Sequence, residues 1–128
     1  MRILLDTCTF LWIAAGSRDL SSIARDLFSD PANDVYLSPV SAWEIVVKHS
    51  LRRLPLPEPP HLFVPRQRDL HEIAPLPLDE DAVLLLGRLP EYHRDPFDRM
   101  LVCQAVAHGL TVLTPDPGIV RYPVQTAW

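Results

Sequence analysis

The chain has 128 residues, of which 48% are hydrophobic and 22% charged, and its formal net charge is −4. That length suits one domain, 1–128, large enough to bury a core, and the composition is ordinary for a globular protein. No apolar run approaches the ~20 residues of a bilayer span, and Cys8 and Cys103 lie too far apart for a disulfide framework or a zinc site.

The N-terminus lacks the organisation of a secretory signal, because Arg2 runs directly into Ile3-Leu4-Leu5 and then an acid. With no disulfide framework between Cys8 and Cys103, a reducing cytoplasm is expected. The negative balance argues weakly against nucleic acid as a partner. Two divalent ions among clustered acids would cancel the −4 and leave the arginines to dominate the surface.

Taken in order, Arg2 to Leu5 reads as a short buried strand ending at Asp6, and Thr7 to Ala15 as a helix stopped by Gly16. Ser21 or Ser22 caps a second helix through Phe28, followed by a turn at Asp30-Pro31-Ala32-Asn33. Val35-Tyr36-Leu37 is the second strand. Ser38 caps a third helix with Pro39 at its first position, running to about Leu51.

A proline-rich crossing follows, with Pro55, Pro57, Pro59, Pro60, Pro65, Pro75 and Pro77. Apolar residues interleave with these prolines, as in a stiff connector packed on its own domain, and Pro65 is expected to break or kink any helix over 60–70. His71 to Ala74 is a candidate edge strand, and Asp79 caps a helix from Glu80 to Leu86. Asp95, Pro96 and Asp98 open a long, mostly apolar helix that ends at Gly109. Leu110 to Leu113 is a buried strand, Thr114 to Gly118 a turn, and Tyr122 to Trp128 a possible last strand with Trp128 as a packing anchor. Strands alternating with helices imply an α/β fold, a three-layer α/β/α sandwich with a mainly parallel sheet.

Four acids stand out. Asp6 and Asp116 follow strands, at the sheet edge where open α/β folds bind ligands. Each also suits a helix cap or a turn. Asp98 sits in the first turn of the long helix with Asp95, where both also complement the helix dipole. Glu44 lies about 40° from the centre of the apolar stripe of its helix, estimated at ~100° per residue. A carboxylate there is costly to bury unless it is paired or binds metal, and an i,i+4 pair with Lys48, the only lysine, is the alternative.

Carboxylates converging without lysines repel one another, and a hard divalent cation relieves this. Oxygen ligands suit Mg²⁺ or Mn²⁺, and carboxylate-held metals assist in-line attack on phosphodiesters. The residues alone therefore point to a metal-dependent phosphoryl hydrolase.

The segments LLDTCTFLW, SPVSAWEIVVKHSLRRLPLP, HRDPFDRMLVCQA and LTPDPGIVRYPV, in this order, resemble the PIN-domain ribonucleases, specifically the VapC-type toxins of toxin–antitoxin pairs. The resemblance implies a PIN-like fold and Mg²⁺- or Mn²⁺-dependent endonucleolytic cleavage of RNA. It implies a catalytic quartet of Asp6, Glu44, Asp98 and Asp116, with Asp6, Asp98 and Asp116 holding metal and Glu44 completing the shell or orienting water. Asp95 is a supporting or substitute acid, and Thr114 matches a hydroxyl residue kept near the metal. Arg52, Arg53, Arg94 and Arg99 are candidates for meeting phosphates, or else form a solvated or acid-paired face. The expected partners are a cognate antitoxin covering the acidic groove, the RNA substrate and a second copy in a homodimer, with no membrane.

Two rival phosphoryl chemistries fit poorly. A phosphatase with a first-strand Asp nucleophile needs a second Asp where Cys8 stands, and a phospho-accepting receiver domain needs a lysine after a late strand. A non-catalytic partner-binding module, its acids merely capping helices, is the remaining alternative.

Overall fold

A computed structural model describes residues 1–128. Five short strands, β1 (Arg2–Leu5), β2 (Asp34–Leu37), β3 (Ala74–Pro75), β4 (Thr111–Leu113) and β5 (Thr126–Ala127), lie in the order β3-β2-β1-β4-β5. Every neighbouring pair is parallel, with Ile3 level with Val35 on one side and Thr111 on the other. Parallel neighbours cannot be joined by tight hairpins, so each connection crosses a face of the sheet. The crossings carry α1 (Thr7–Ala15), α2 (Ser22–Ser29), α3 (Pro39–Ser50), α4 (Pro60–Leu70), α5 (Glu80–Leu85), α6 (Pro96–His108) and α7 (Pro117–Val120).

Side chains alternate along a strand, so a sheet apolar at every position needs cover on both faces. Ile3, Leu5, Val35, Leu37 and Leu113 pack with Phe10 and Ile13 of α1, Ala24 of α2 and Phe63 of α4. Leu4 and Val112 point the other way, into Leu101, Val102 and Ala105 of α6 and Ile119 of α7. Helix α3 serves both cores, giving Ile45 to the first and Val40 to the second. The result is the expected three-layer α/β/α arrangement with a parallel sheet.

Local signals set most helix ends. Asp6, Ser21, Ser38, Asp95 and Asp116 each accept a backbone N–H at the start of a helix. Gly16 and Gly109 close α1 and α6 with φ of 62° and 66°, where a side chain would be strained. Gln104, fully buried in α6, accepts a hydrogen bond from Ser38 Oγ and donates to the Pro77 carbonyl. That bond ties the start of α3 to the middle of α6, the two helices that carry Glu44 and Asp98.

The structure differs from the sequence reading in four places. Residues 60–70 form a helix despite Pro65. The proline removes one N–H, but Phe63 and Val64 on the same helix are both 5% exposed against the first core. Burying two such side chains contributes roughly 1.5–3 kcal/mol each, which offsets the ~3 kcal/mol a helical proline costs. The edge strand falls on Ala74–Pro75, beside β2, rather than on 71–74. Residues 114–118 are only partly a turn, since Asp116 caps the short helix α7 at its first residue, Pro117. Asp79 stands at the N-cap of α5 without capping it, because its Oδ1 pairs instead with His108 Nε2 at 2.8 Å. Trp128 packs its ring 5.6 Å from that of Trp12, as an anchor of the last strand.

Candidate metal centre at the carboxyl edge of the sheet

Because the strands are parallel, β1 and β4 end on the same edge, and α1, α6 and α7 begin beside it. Asp6, Glu44, Asp95, Asp98 and Asp116 line one cavity of about 340 Å³ there, together with Cys8, Lys48 and Arg53. The acids of the sequence quartet thus come from four segments into a single pocket.

Asp6 is 3% exposed and fully engaged. Its Oδ1 accepts the Thr7 N–H at 2.7 Å, and its Oδ2 accepts Thr114 Oγ1 at 2.8 Å and Cys8 Sγ at 3.2 Å. Burial nevertheless pushes its pKa above the usual carboxylate value, with the Glu44 charge adding to the rise and the three hydrogen bonds opposing it. Thr114, 1% exposed, also accepts the Asp116 N–H at 3.0 Å, so one hydroxyl joins the two strand-end acids. Asp116 Oδ1 accepts the Gly118 N–H at 2.8 Å.

Asp95 spends one oxygen on the Phe97 and Asp98 N–H groups, at 2.9 and 3.2 Å. Asp98, 8% exposed, is pushed up to about 8 by burial first, then by the charges of Asp6, Asp95, Glu44 and Asp116. Glu44 is 4% exposed. Its Oε2 pairs with Lys48, while its Oε1 is buried without any hydrogen-bond partner. Thr7 Oγ1 donates to Ser41 Oγ at 2.9 Å, which locks α1 against α3 one turn ahead of Glu44.

One expectation needs correction. The acids do not meet in the absence of a lysine, because the i,i+4 spacing on α3 brings Lys48 into their cavity. Burial disfavours its charged ammonium, but Glu44, backed by Asp95 and Asp98, more than reverses this and holds its pKa above the usual value. Lys48 thus acts as an internal counter-ion on one side of the cluster.

The chemistry of the donor set fits a hard divalent cation. The quartet supplies carboxylate oxygens alone, one of them buried and unpartnered, with more negative charge than one lysine neutralises. No three of the acid, histidine or cysteine side chains stand close enough to form a ready-made cage. Asp6, Asp98 and Asp116 would hold the ion after side-chain adjustment, with Glu44 Oε1 free to complete the set.

The four arginines fare differently. Arg53 lines the acidic cavity, whereas Arg52 lies in a left-handed turn (φ 58°) just after α3, exposed to solvent. Arg94 and Arg99 line a neighbouring cavity of about 730 Å³ with Tyr92 and His93. Arg99 is already occupied, donating to the Pro90 carbonyl at 2.9 Å and to the Tyr122 hydroxyl at 3.2 Å. The i,i+4 pair of Glu44 with Lys48, offered by the sequence as the alternative, is present, whereas Cys8 was missed as a neighbour of the acids and His93, whose Nε2 lies 3.6 Å from Asp98 Oδ2, was passed over. The Lys48 contact was legible in its i,i+4 spacing, and the His93 contact had no spacing to reveal it.

Comparison with known proteins matches the PIN domain model over residues 3–125. Ribonuclease VapC16 of Mycobacterium tuberculosis is 36% identical over 61 residues, a stretch covering 48% of this chain and 43% of that protein, so the match spans under half of either. Among solved structures, VapBC2 from Rickettsia felis, bound to a DNA fragment from its promoter, superposes with a TM-score of 0.74 at 14% identity, covering 100% of this chain and 99% of that one. VapBC-1 from nontypeable Haemophilus influenzae gives 0.69 at 15%, covering 99% and 97%. VapBC-5 from Mycobacterium tuberculosis, a member of the VapBC family of toxin–antitoxin systems, gives 0.60 at 18%, covering 98% and 95%. At these identities the superpositions speak for the fold, while the family model spans almost the whole sequence: this chain belongs to the PIN domain family.

Proposed function

We propose that this chain is a metal-dependent endoribonuclease, the toxin of a type II toxin–antitoxin pair, acting in the cytoplasm. The observation that carries the reading is the single cavity lined by Asp6, Glu44, Asp98 and Asp116, in which Glu44 Oε1 is buried without a partner. The partial match to a ribonuclease and the fold shared with VapBC proteins support the same reading.

Asp6, Asp98 and Asp116 hold Mg²⁺ or Mn²⁺. When bound, the ion supplies Lewis acidity and positive charge to a phosphodiester under in-line attack. Glu44 completes the ligand set or takes a proton from the attacking water at Oε1. Thr114 and Asp95 orient the acids, through Asp6 Oδ2 and the backbone N–H of Asp98. Arg53 and Arg94 are placed to meet RNA phosphates at the two adjoining cavities. Arg52 is exposed just after α3, and Arg99 braces the loop before α6 through the Pro90 carbonyl.

The partner is a small antitoxin, and the toxin pairs with a second copy. Exposed Trp43, Val46 and Leu51 on and just after α3, beside the acidic cavity, offer apolar area for one of these contacts. No helix is long and apolar enough to cross a membrane.

A second reading, a partner-binding module without catalysis, draws on the fact that Asp6, Asp95 and Asp116 do cap helices. Incubation with total RNA and Mg²⁺ or Mn²⁺ against a chelator control decides. Metal-dependent fragments and a Mn²⁺-induced rise in melting temperature are expected. The absence of both favours the binding module.

A further inference from the structure

We propose that His93 is a positioning residue for Asp98, with its ring locked by Tyr122 so that Nε2–H faces the Asp98 carboxylate. The inference rests on the reading of Asp98 as a metal-holding acid, and it extends the site to residues outside the quartet.

The lock follows from counting donors at one oxygen. The Tyr122 hydroxyl receives the His93 backbone N–H at 3.3 Å and Arg99 Nη1 at 3.2 Å. A hydroxyl has two lone pairs and one proton. With both lone pairs taken, its proton has one direction left, His93 Nδ1, which lies 3.2 Å away. In the neutral ring a nitrogen that accepts leaves the other to carry the hydrogen, so Nε2 is the donor.

That Nε2–H is buried without any hydrogen-bond partner, and it lies 3.6 Å from Asp98 Oδ2. The gap is longer than a hydrogen bond, and a displacement of Asp98 Oδ2 by roughly half an ångström closes it. Arg99 is itself pinned by the Pro90 carbonyl, so the chain Arg99–Tyr122–His93–Asp98 has a fixed end.

Gly118 is the second, independent observation. A Cβ at this position would lie 2.7 Å from His93 Cδ2, far inside normal contact, and tightly against Asp116 Oδ1 at 3.1 Å and His93 Nε2 at 3.2 Å. Its φ is not left-handed, so the backbone would accept alanine, and the space is filled by the imidazole and the Asp116 carboxylate. The ring is wedged between α7 and Asp98, and small movements of it are transmitted to the acid.

Two measurements test this. In ¹⁵N-histidine-labelled metal-free protein, the His93 ring should carry its hydrogen on Nε2, and Tyr122→Phe should relax it toward a mixture. A wild-type ring protonated on Nδ1 alone would overturn the lock. The second is Mn²⁺ affinity, read as free Mn²⁺ by electron paramagnetic resonance, with folding checked by circular dichroism. His93→Asn, which places an amide near Nδ1 only, should weaken Mn²⁺ by about 10- to 100-fold, the usual cost of losing a group that orients a ligand. His93→Gln, whose amide reaches the Nε2 position, should stay near wild type. Gly118→Ala should weaken Mn²⁺ more in the wild-type background than in His93→Asn, where only its crowding of Asp116 Oδ1 remains.

Wild-type affinity in folded His93→Asn, or an equal Gly118→Ala loss in both backgrounds, overturns the role. A wild-type protein that binds no Mn²⁺ overturns the proposed metal centre, and this role with it, while the tautomer result still judges the lock separately.

Discussion

Thr114 Oγ1 donates to Asp6 Oδ2 at 2.8 Å across 108 positions of sequence and at the same time accepts the Asp116 N–H at 3.0 Å. All three groups lie where β1 and β4 end side by side. No other side chain hydrogen-bonds to both strand-end residues. Thr114→Val keeps the shape and removes both bonds, leaving a buried Asp6 oxygen short of a donor. It should cost about 1–3 kcal/mol of stability and lower RNA cleavage, whereas Thr114→Ser retains most of both. Thermal melts and cleavage assays on the two variants check this. Unchanged activity in Thr114→Val would leave the threonine a packing residue.

Asp98 gives the metal-free protein a pH signature. Its pKa rises from 3.8 to about 8 on folding, because of burial and then the charges of Asp6, Asp95, Glu44 and Asp116. Between those values the folded protein holds a proton that the unfolded chain has released. Metal-free stability therefore falls as pH climbs from about 4 to about 8, then levels off. Asp6, raised in the same direction, steepens the early part of the fall. A cation must displace the Asp98 proton, so Mn²⁺ affinity should climb over the same window and flatten above about 8. Asp98→Asn should flatten most of the stability profile and raise the metal-free melting temperature at high pH, on the order of 5 °C for a gain of about 1 kcal/mol in a chain this size. Melts in chelator across the window test it, and a flat wild-type profile would contradict the crowding of acids.

Much of this was legible in the residues because the signals are local. Asp95-Pro96 at one end and Gly109 at the other bound α6, and the structure places that helix at Pro96–His108. The apolar runs of β1 and β4 announced strands buried on both faces, which led to the parallel sheet and so to a shared edge for Asp6 and Asp116. The failures are tertiary. Pro65 obeys a local rule that the burial of Phe63 and Val64 outweighs. Asp79 matches a cap pattern, but His108, brought up by α6, takes its carboxylate. Arg99 looked free to meet phosphate until the fold supplied Pro90 and Tyr122.

The acids and the thiols should separate cleanly under substitution. Asp6→Asn removes a negative charge while an amide oxygen remains to accept hydrogen bonds, so the fold should persist while cleavage drops on the order of 100-fold or more. Cys8 is different, because burial and the Asp6 charge keep it a protonated thiol that donates to Asp6 Oδ2. Cys8→Ser preserves that donor, and Cys103 packs in the second core away from the cavity. Both serine variants should retain metal-dependent cleavage, with Cys103→Ser losing some stability through a buried hydroxyl. Loss of cleavage in a well-folded Cys8→Ser protein would bring the thiol into the mechanism.

Lys48 is the cation paired with an acid of the cavity, and it competes with metal for Glu44. Its ammonium pairs with Oε2 and is half exposed, so the pair itself contributes little to stability, within the roughly 0–1 kcal/mol of exposed ion pairs. Its electrostatic effect on a cation at the centre is repulsive. Lys48→Gln should leave the melting temperature of the metal-free protein within a few degrees and tighten Mn²⁺ binding about twofold to fivefold, the factor that 0.3–1 kcal/mol of removed repulsion yields. The gain should shrink at high salt, as screening weakens the interaction. Mn²⁺ titrations of both proteins at low and high salt measure it. If Lys48→Gln binds Mn²⁺ more weakly instead, the lysine supports the cluster rather than competing within it, and Glu44 does not belong to the metal's surroundings.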